Sequence, residues 1–330
     1  APFSCQTDGL CPEGYSCVAG VCLLDGASAR TTRVARAGFV NSSELTLFAS
    51  SAGGAVLLYN DGFSEGGRAL YEARIGTDGR VEGPHVIFDF GESSATSTAI
   101  VELDEQHYGV LALRFPTIEE TTQRLGFYRV PRERFGDAPS PELIAEPPTM
   151  PSFAGGVEPT YISAVRRAGN VDVAYADPAA GGSVIVARVN GSVLEERARI
   201  HPEGVAPLSS DSLLWDLGDA LALRVGFETN EVWRIPDGPN PQVAGPLRVT
   251  GTPIFAQASG VVSVSFDEES LAATYRVTDW SGSEVGAIPL GYGQEDLEPY
   301  SAVATPRGVL LAPSGDDPSM SSLRALRFGL

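Results

Sequence analysis

The sequence predicts an all-β fold: a six-bladed β-propeller closed by an N-terminal strand and preceded by a small disulfide-stapled segment. Three observations predict it. Past Asp25 no window sustains the three-and-four apolar spacing of a helix; short alternating runs bounded by Gly, Pro, Asn and Asp recur to the end; and one such run returns six times. A chain of 330 residues, 43% hydrophobic and 20% charged, can build a core, and its 37 Gly and 24 Pro suit a turn-rich fold rather than a disordered one.

The repeated run is apolar, ends in Arg plus Ile, Val or Phe, and then usually enters a turn. Its copies read LYEARIGTDG around Arg74, LGFYRVP around Arg129, VIVARVNG around Arg188, EVWRIPDG around Arg234, ATYRVTDWSG around Arg276 and LRALRFGL around Arg327. Each is read as the third of four strands, most clearly in TYISAVRRAG, NVDVAYADP, SVIVARVNG and LEERARI. Asp78-Gly79, Asn190-Gly191 and Asp237-Gly238 offer the positive-φ residues that tight strand connections need. A four-stranded meander every 40 to 60 residues, roughly, is a propeller blade. Small residues in the first strands, as in STAIV (97–101), ISAV (162–165), FAQA (255–258) and SAVA (301–304), suit the strand nearest a crowded axis.

The sixth unit reaches Leu330 after its third strand, and Thr31 to Gly38 (TTRVARAG) is expected to supply the fourth, pairing the two chain ends and removing open edges. A β-sandwich or another blade number is the alternative. The propeller likeness is general: no WD series, kelch glycine pair or sialidase Asp-box narrows it. Ser210 to Trp215 lacks the Asp-box glycine and is read as a strand start.

Ahead of the propeller (29–330), residues 1–28 form a segment too short for a core of its own, with cysteines at Cys5, Cys11, Cys17 and Cys22. Two disulfides would staple it. Three connectivities are open, and the interleaved one, Cys5 to Cys17 and Cys11 to Cys22, is the expectation. A four-thiolate zinc site usually contains a C-x2-4-C knuckle, which the spacing here lacks. Disulfides imply an oxidising compartment.

This segment resembles the small cysteine knuckles, C-x-x-D-x-x-C-P-x-G-x-x-C-x-x-G-x-C, that follow the export signal in secreted proteins and lipoproteins of high-GC bacteria. Asp8, Cys11, Pro12, Gly14, Cys17, Gly20 and Cys22 carry the match, and a lysine-free, Arg- and Ala-rich composition agrees with it. The resemblance covers about 20 residues and implies export to the periplasm, cell surface or exterior, not an activity. A chain starting at Ala1 is expected to be a mature or trimmed form, with a signal peptide or lipid-bearing cysteine upstream.

A net charge of -19, from 42 acids against 23 bases, disfavours nucleic acid and anionic membrane as partners. All 23 bases are arginine, so Schiff-base, P-loop and lysine-base chemistries drop out. No apolar run approaches the ~18 residues of a membrane span, and with only His85, His107 and His201 a His-rich metal site is disfavoured. A monomer is expected.

The charge is unevenly placed. Loops joining second to third strands, with those linking one blade to the next, are acidic and carry arginine only at Arg68 and Arg124. The opposite loops include Arg80, Arg132, Arg134, Arg166, Arg167 and Arg307. An acidic mouth could hold Ca²⁺, which takes six to eight oxygen ligands, roughly, with Asp61, Asp177, Asp267 and Asp316 as candidates. The bland reading is solvated carboxylates that keep an exported protein soluble. A third has the acidic face attracting a basic protein or cationic ligand.

For catalysis the one candidate is His201 in RIHPEGV, which would act as a general base if paired with Glu203 or Asp211; a surface histidine is the plainer reading. No G-x-S-x-G nucleophile elbow occurs. Trp215, Trp233 and Trp280 suit sugar stacking in principle, but Trp233 falls in a repeat strand and is expected in the core. Asn41 and Asn190 fit the glycosylation sequon, which matters only in a eukaryotic secretory route. The expectation is a non-catalytic binding or scaffolding propeller needing no cofactor; the alternative is a Ca²⁺-dependent, lactonase-like hydrolase with the metal acting as Lewis acid.

Overall fold

The computed structural model describes residues 15–18, 21–24, 30–35, 46–49, 55–60, 69–76, 81–89, 95–114, 124–132, 141–150, 162–177, 183–201, 213–225, 230–238, 241–267, 272–293, 298–305, 308–314 and 323–327. Every regular element among them is a strand.

In chain order, β1 (Tyr15–Val18) and β2 (Val21–Leu24) form a hairpin, and β3 (Arg30–Ala35) follows. Next come β4 to β7 (Thr46–Ala49, Ala55–Asn60, Ala69–Ile75, Val81–Asp89) and β8 to β11 (Ala95–Glu102, His107–Arg114, Arg124–Pro131, Glu142–Ala145). Then β12 to β15 (Ile162–Arg167, Asn170–Asp177, Ser183–Asn190, Val193–Ile200) and β16 to β19 (Leu213–Asp216, Ala220–Arg224, Glu231–Pro236, Ala244–Arg248). The last are β20 to β23 (Thr252–Gln257, Gly260–Asp267, Ala272–Asp279, Glu284–Gly293) and β24 to β26 (Glu298–Thr305, Gly308–Ser314, Leu323–Arg327).

Among the described residues these strands pair as six four-stranded sheets and the β1–β2 hairpin. Five sheets are built from four consecutive strands; the sixth runs β24-β25-β26-β3. A strand thus forms where Thr31 to Gly38 is expected to supply one: it begins at Arg30, is described to Ala35, and lies antiparallel to β26 from Arg30↔Arg327 to Ala35↔Leu323. Consecutive antiparallel meanders of this kind are the architecture of an all-β propeller.

The chain divides into two compact units, one of Asn60–Tyr71 and Val86–Pro246, the other of Ala1–Tyr59, Glu72–His85 and Leu247–Leu330. In the first unit the packing follows from the two-residue period of a strand. On β13, Val171, Val173 and Tyr175 point to the core shared with β8 to β11, beside Leu111, Leu113, Leu125 and Phe127. Ala174, between them, points the other way, into the core shared with Leu214, Leu221, Leu223 and Ile235. β14 does the same, with Ile185 and Ala187 on one side, Val184 and Val186 on the other. A sheet packed on both faces needs apolar residues at nearly every position, which is why VDVAYA and SVIVA read as continuous runs. Each buried Val or Leu stabilises by about 1.5–3 kcal/mol relative to exposure.

Glycine supplies most of the left-handed positions among the described residues. Arg167 pairs with Asn170 across a two-residue loop in which Ala168 (φ 46°) and Gly169 (φ 81°) are both left-handed. Asn190 pairs with Val193, so the loop there is Gly191-Ser192, and Gly191 (φ 58°) rather than Asn190 supplies the positive φ. In Asp237-Gly238 it is again the glycine, at φ 124°.

In the other unit, β1 and β2 bring Cys17 and Cys22 directly opposite one another. Cys5 and Cys11 lie outside the described residues. No helix among the described residues is long and apolar enough to cross a membrane.

Candidate binding site

The repeat arginines turn out to be clamps within their own sheets. Arg129 stands opposite Glu142 and binds it at 2.9 Å. Arg234 binds Asp219 at 2.8 Å. Arg276 donates to Ser265 at 3.0 Å and binds Glu284 at 2.8 Å, and Arg74 pairs with Glu72. Arg327 belongs to β26, and its side chain is outside the described set. Such pairs, exposed on at least one side, contribute about 0–1 kcal/mol each.

Arg188 departs from this pattern. Its partner is Asp172, directly opposite on β13 and fully buried. Nε and Nη2 of Arg188 donate to Oδ1 and Oδ2 of Asp172, both at 3.0 Å, a bidentate fork. The bond to Asp172 strengthens the hold of Arg188 on its proton and raises its pKa, against a smaller opposing effect of burial. Asp172 also accepts from Nη1 of Arg197 on β15 at 3.2 Å. Arg197 reaches on through Nη2 to Oδ1 of Asp237 at 3.1 Å. Arg167, at the end of β12, closes the network: Nη1 donates to Asp237 Oδ1 at 2.8 Å, Nη2 to Asp237 Oδ2 and to the Gly218 carbonyl at 2.7 Å, and Nε lies 3.3 Å from Asp216.

Arg167, Arg188, Arg197 and Asp237 line an open, polar cavity of about 490 Å³ together with Asn170, Glu195 and Glu196, while Asp172 is buried behind them. Local sequence explains its place. The sheet face that carries Ala174 and Val186 into an apolar core ends, toward the turns, in Asp172, Arg188 and Arg197. The turn after β18 brings Asp237 alongside from the next sheet of the same unit.

Chemically the cavity offers fixed guanidinium donors and carboxylate acceptors already paired to each other. Glu195 accepts from the Asn190 side chain at 2.9 Å. Glu196 is held by both Nε and Nη2 of Arg199, at 3.0 and 2.7 Å. Nearby Tyr175 is buried, and burial, helped by Glu196 and Asp177, pushes its hydroxyl up to about 12, far from an acid–base role near neutrality.

The residues singled out in the sequence lie elsewhere. His201 is exposed just past β15, with Glu203 and Asp211 outside the described residues. His107 opens β9 and meets Asp104 at 2.9 Å in the preceding turn, while His85 lies on β7. Of the four candidate calcium ligands only Asp177 has a described side chain, and Arg199 holds its carboxylate at 2.9 Å. Asp267 ends β21; Asp61 and Asp316, with most of the acidic loops, lie outside the described residues. Among the described residues no three of His, Cys, Asp and Glu are placed to hold a metal. Trp233 packs against the core of Leu221 and Ile235, Trp280 donates to the Gln257 carbonyl at 3.0 Å, and Trp215 lies on β16. Sequence reasoning passed over the Arg–Asp network, although a signal was there: Asp172 places a carboxylate in an otherwise apolar buried run, directly opposite a repeat arginine.

No known protein family matches the chain, and no curated protein does. Solved structures do resemble it. Phage phi92 endosialidase is similar with a TM-score of 0.62 at 9% identity, over 95% of this chain and 71% of that one. A subtype N10 neuraminidase-like protein of A/little yellow-shouldered bat/Guatemala/060/2010 has a TM-score of 0.55 at 10% identity, over 90% and 97%. A protein of unknown function from Dyadobacter fermentans has 0.54 at 11%, over 90% and 99%. At such identities the likeness establishes the fold alone.

Proposed function

We propose that this chain is an exported, surface-anchored bacterial protein whose propeller, closed as a ring of six blades through β3 and β26, is a non-catalytic binding module. Residues 1–28 serve as a spacer stapled by Cys5–Cys17 and Cys11–Cys22, and the working form is a monomer. The observation that carries the binding reading is the cavity over Asp172: its donors and acceptors are numerous, fixed and mutually paired. Preorganised polar groups of this kind hold a ligand by orientation rather than by transferring a proton.

A thermal-shift screen of the purified chain against small polar molecules tests this, run beside γ-lactone and aryl-ester turnover assays with EDTA and with Ca²⁺. The expected result is stabilisation by a polar ligand, weakened by Arg188→Ala, with no turnover. EDTA-sensitive turnover restored by Ca²⁺ would overturn it in favour of a lactonase-like hydrolase using Asp61, Asp177, Asp267 and Asp316. A further expectation is salt-sensitive capture of a basic protein or cationic ligand on the acidic loops, which would extend the binding role to a second face.

A further inference from the structure

Arg167 and Arg197 converge on one carboxylate, and each is anchored without it. Arg197 is held by buried Asp172 at 3.2 Å. Arg167 is held by the Gly218 carbonyl at 2.7 Å and by Asp216 at 3.3 Å. Their side chains are only 10% and 6% exposed, whereas that of their common target, Asp237, is 47% exposed at the cavity wall. The donors are therefore the rigid half of the arrangement and the carboxylate the accessible half. Asp237 also comes from a different sheet and precedes Gly238, whose φ of 124° few other residues adopt.

We propose that Arg167 and Arg197 form a carboxylate-binding site in which Asp237 is a built-in occupant, displaced by the carboxylate of a small polar ligand whose remainder fills the cavity beside Asn170 and Glu195. This rests on the binding reading above and names its ligand class. Two fixed guanidiniums match one carboxylate in charge-assisted hydrogen bonding. The lining of the cavity is charged and amide side chains with one small apolar residue, Ala168, so the body of the ligand is hydrophilic. An acid tethered within the same chain competes at an effective concentration on the order of millimolar, so the native protein binds weakly until the ligand is abundant.

The experiment is chemical rescue of Asp237→Ala, with Asp237→Asn as a second variant that keeps an acceptor and the side-chain volume. Melting temperatures are measured with sodium acetate and with sodium gluconate, each against sodium chloride at equal ionic strength. Acetate is expected to raise the melting temperature of Asp237→Ala by about 2–4 °C over chloride, with little effect on the native chain. Gluconate, large enough to use the cavity, is expected to act at about tenfold lower concentration. Adding Arg197→Ala to Asp237→Ala should abolish both effects. Equal responses to acetate and chloride in both Asp237 variants would overturn the proposal. If neutral polar molecules still stabilise the native chain, the binding reading survives that result; if nothing does, both fall.

Discussion

Arg167 and Asp237, 70 residues apart in the chain, meet in a two-pronged ion pair that joins the end of β12 to the turn after β18. The pair ties neighbouring sheets of one unit at their rim, where the apolar layer between them has run out. Asp237→Asn is expected to destabilise by about 1–2 kcal/mol, and a double-mutant cycle with Arg167→Met to give a coupling of about 1 kcal/mol, read from urea unfolding. The half-exposed carboxylate keeps the figure modest. A coupling near zero would mean that Gly218 and Asp216 alone position Arg167.

Asp172 should be far less tolerant. It is fully buried and answers two guanidiniums, Arg188 and Arg197, so Asp172→Asn takes from Arg188 the carboxylate it forks onto and leaves Arg197 with Asp237 alone. Breaking such a set from one side costs about 3–5 kcal/mol. The expected outcome is a loss at least twice that of Asp237→Asn in the same unfolding assay. Arg188→Met, which removes charge from the set rather than exposing it, should cost less.

Three carboxylates give the stability a defined acid limb. Burial opposes the ionisation of Asp237, but hydrogen bonds from Arg167 and Arg197 outweigh it and hold the group below the usual carboxylate range. At Asp104 slight burial is likewise outweighed by bonds from the Gln106 amide and His107. Asp279 is lowered by the Ser281 hydroxyl and then by the Ser283 amide. A carboxylate with a lowered folded-state pKa binds its proton more readily when unfolded, so its stabilisation is full above the unfolded value near 4, roughly, and is lost as pH falls through the folded value. Melting temperature should therefore be level across this contribution above pH 5, roughly, and fall below about 4. In Asp237→Asn the fall should be shallower.

How legible this was differs by element. NVDVAYADP and SVIVARVNG became β13 and β14 almost residue for residue, because turn residues bound each run and burial on both faces keeps it apolar. The β3–β26 pairing could be read because an outer strand was missing from one unit and spare at the other end of the chain. The cavity was not read. In the sequence Arg167 reads as a loop charge and Asp237 as a turn former, and nothing local to either says that they meet; that depends on which sheets are neighbours and on the depth of each rim. Asp172 was the available clue, since an aspartate facing inward must be paired.

Two left-handed positions should respond in opposite directions. Ala168 holds φ 46° in the two-residue turn between β12 and β13, where a side chain carries a steric cost, so Ala168→Gly is expected to stabilise by up to about 1 kcal/mol. Gly251 holds φ 84°, and a Cβ there would stand 2.2 Å from the Val264 carbonyl oxygen. The obstacle is backbone in the middle of β21, which has no rotamer to move to. Gly251→Ala should cost about 3 kcal/mol or more, with the midpoint of urea unfolding as the readout.

The closing strand separates what the N-terminal segment does for the fold from what it does as a spacer. β3 supplies the outer strand of its sheet through five register pairs, from Arg30↔Arg327 to Leu323↔Ala35. Removing residues 1–36 would leave β26 with an unpaired edge, an open template for association with other chains. Removing residues 1–28 leaves β3 whole. The shorter deletion is expected to keep the melting temperature within about 2 °C of the full chain, and the longer one to lower it by about 5 °C or more and to promote aggregation on heating. Equal losses would make the β1–β2 hairpin part of the folding unit, because residues 1–28 would then supply stability that β3 alone does not.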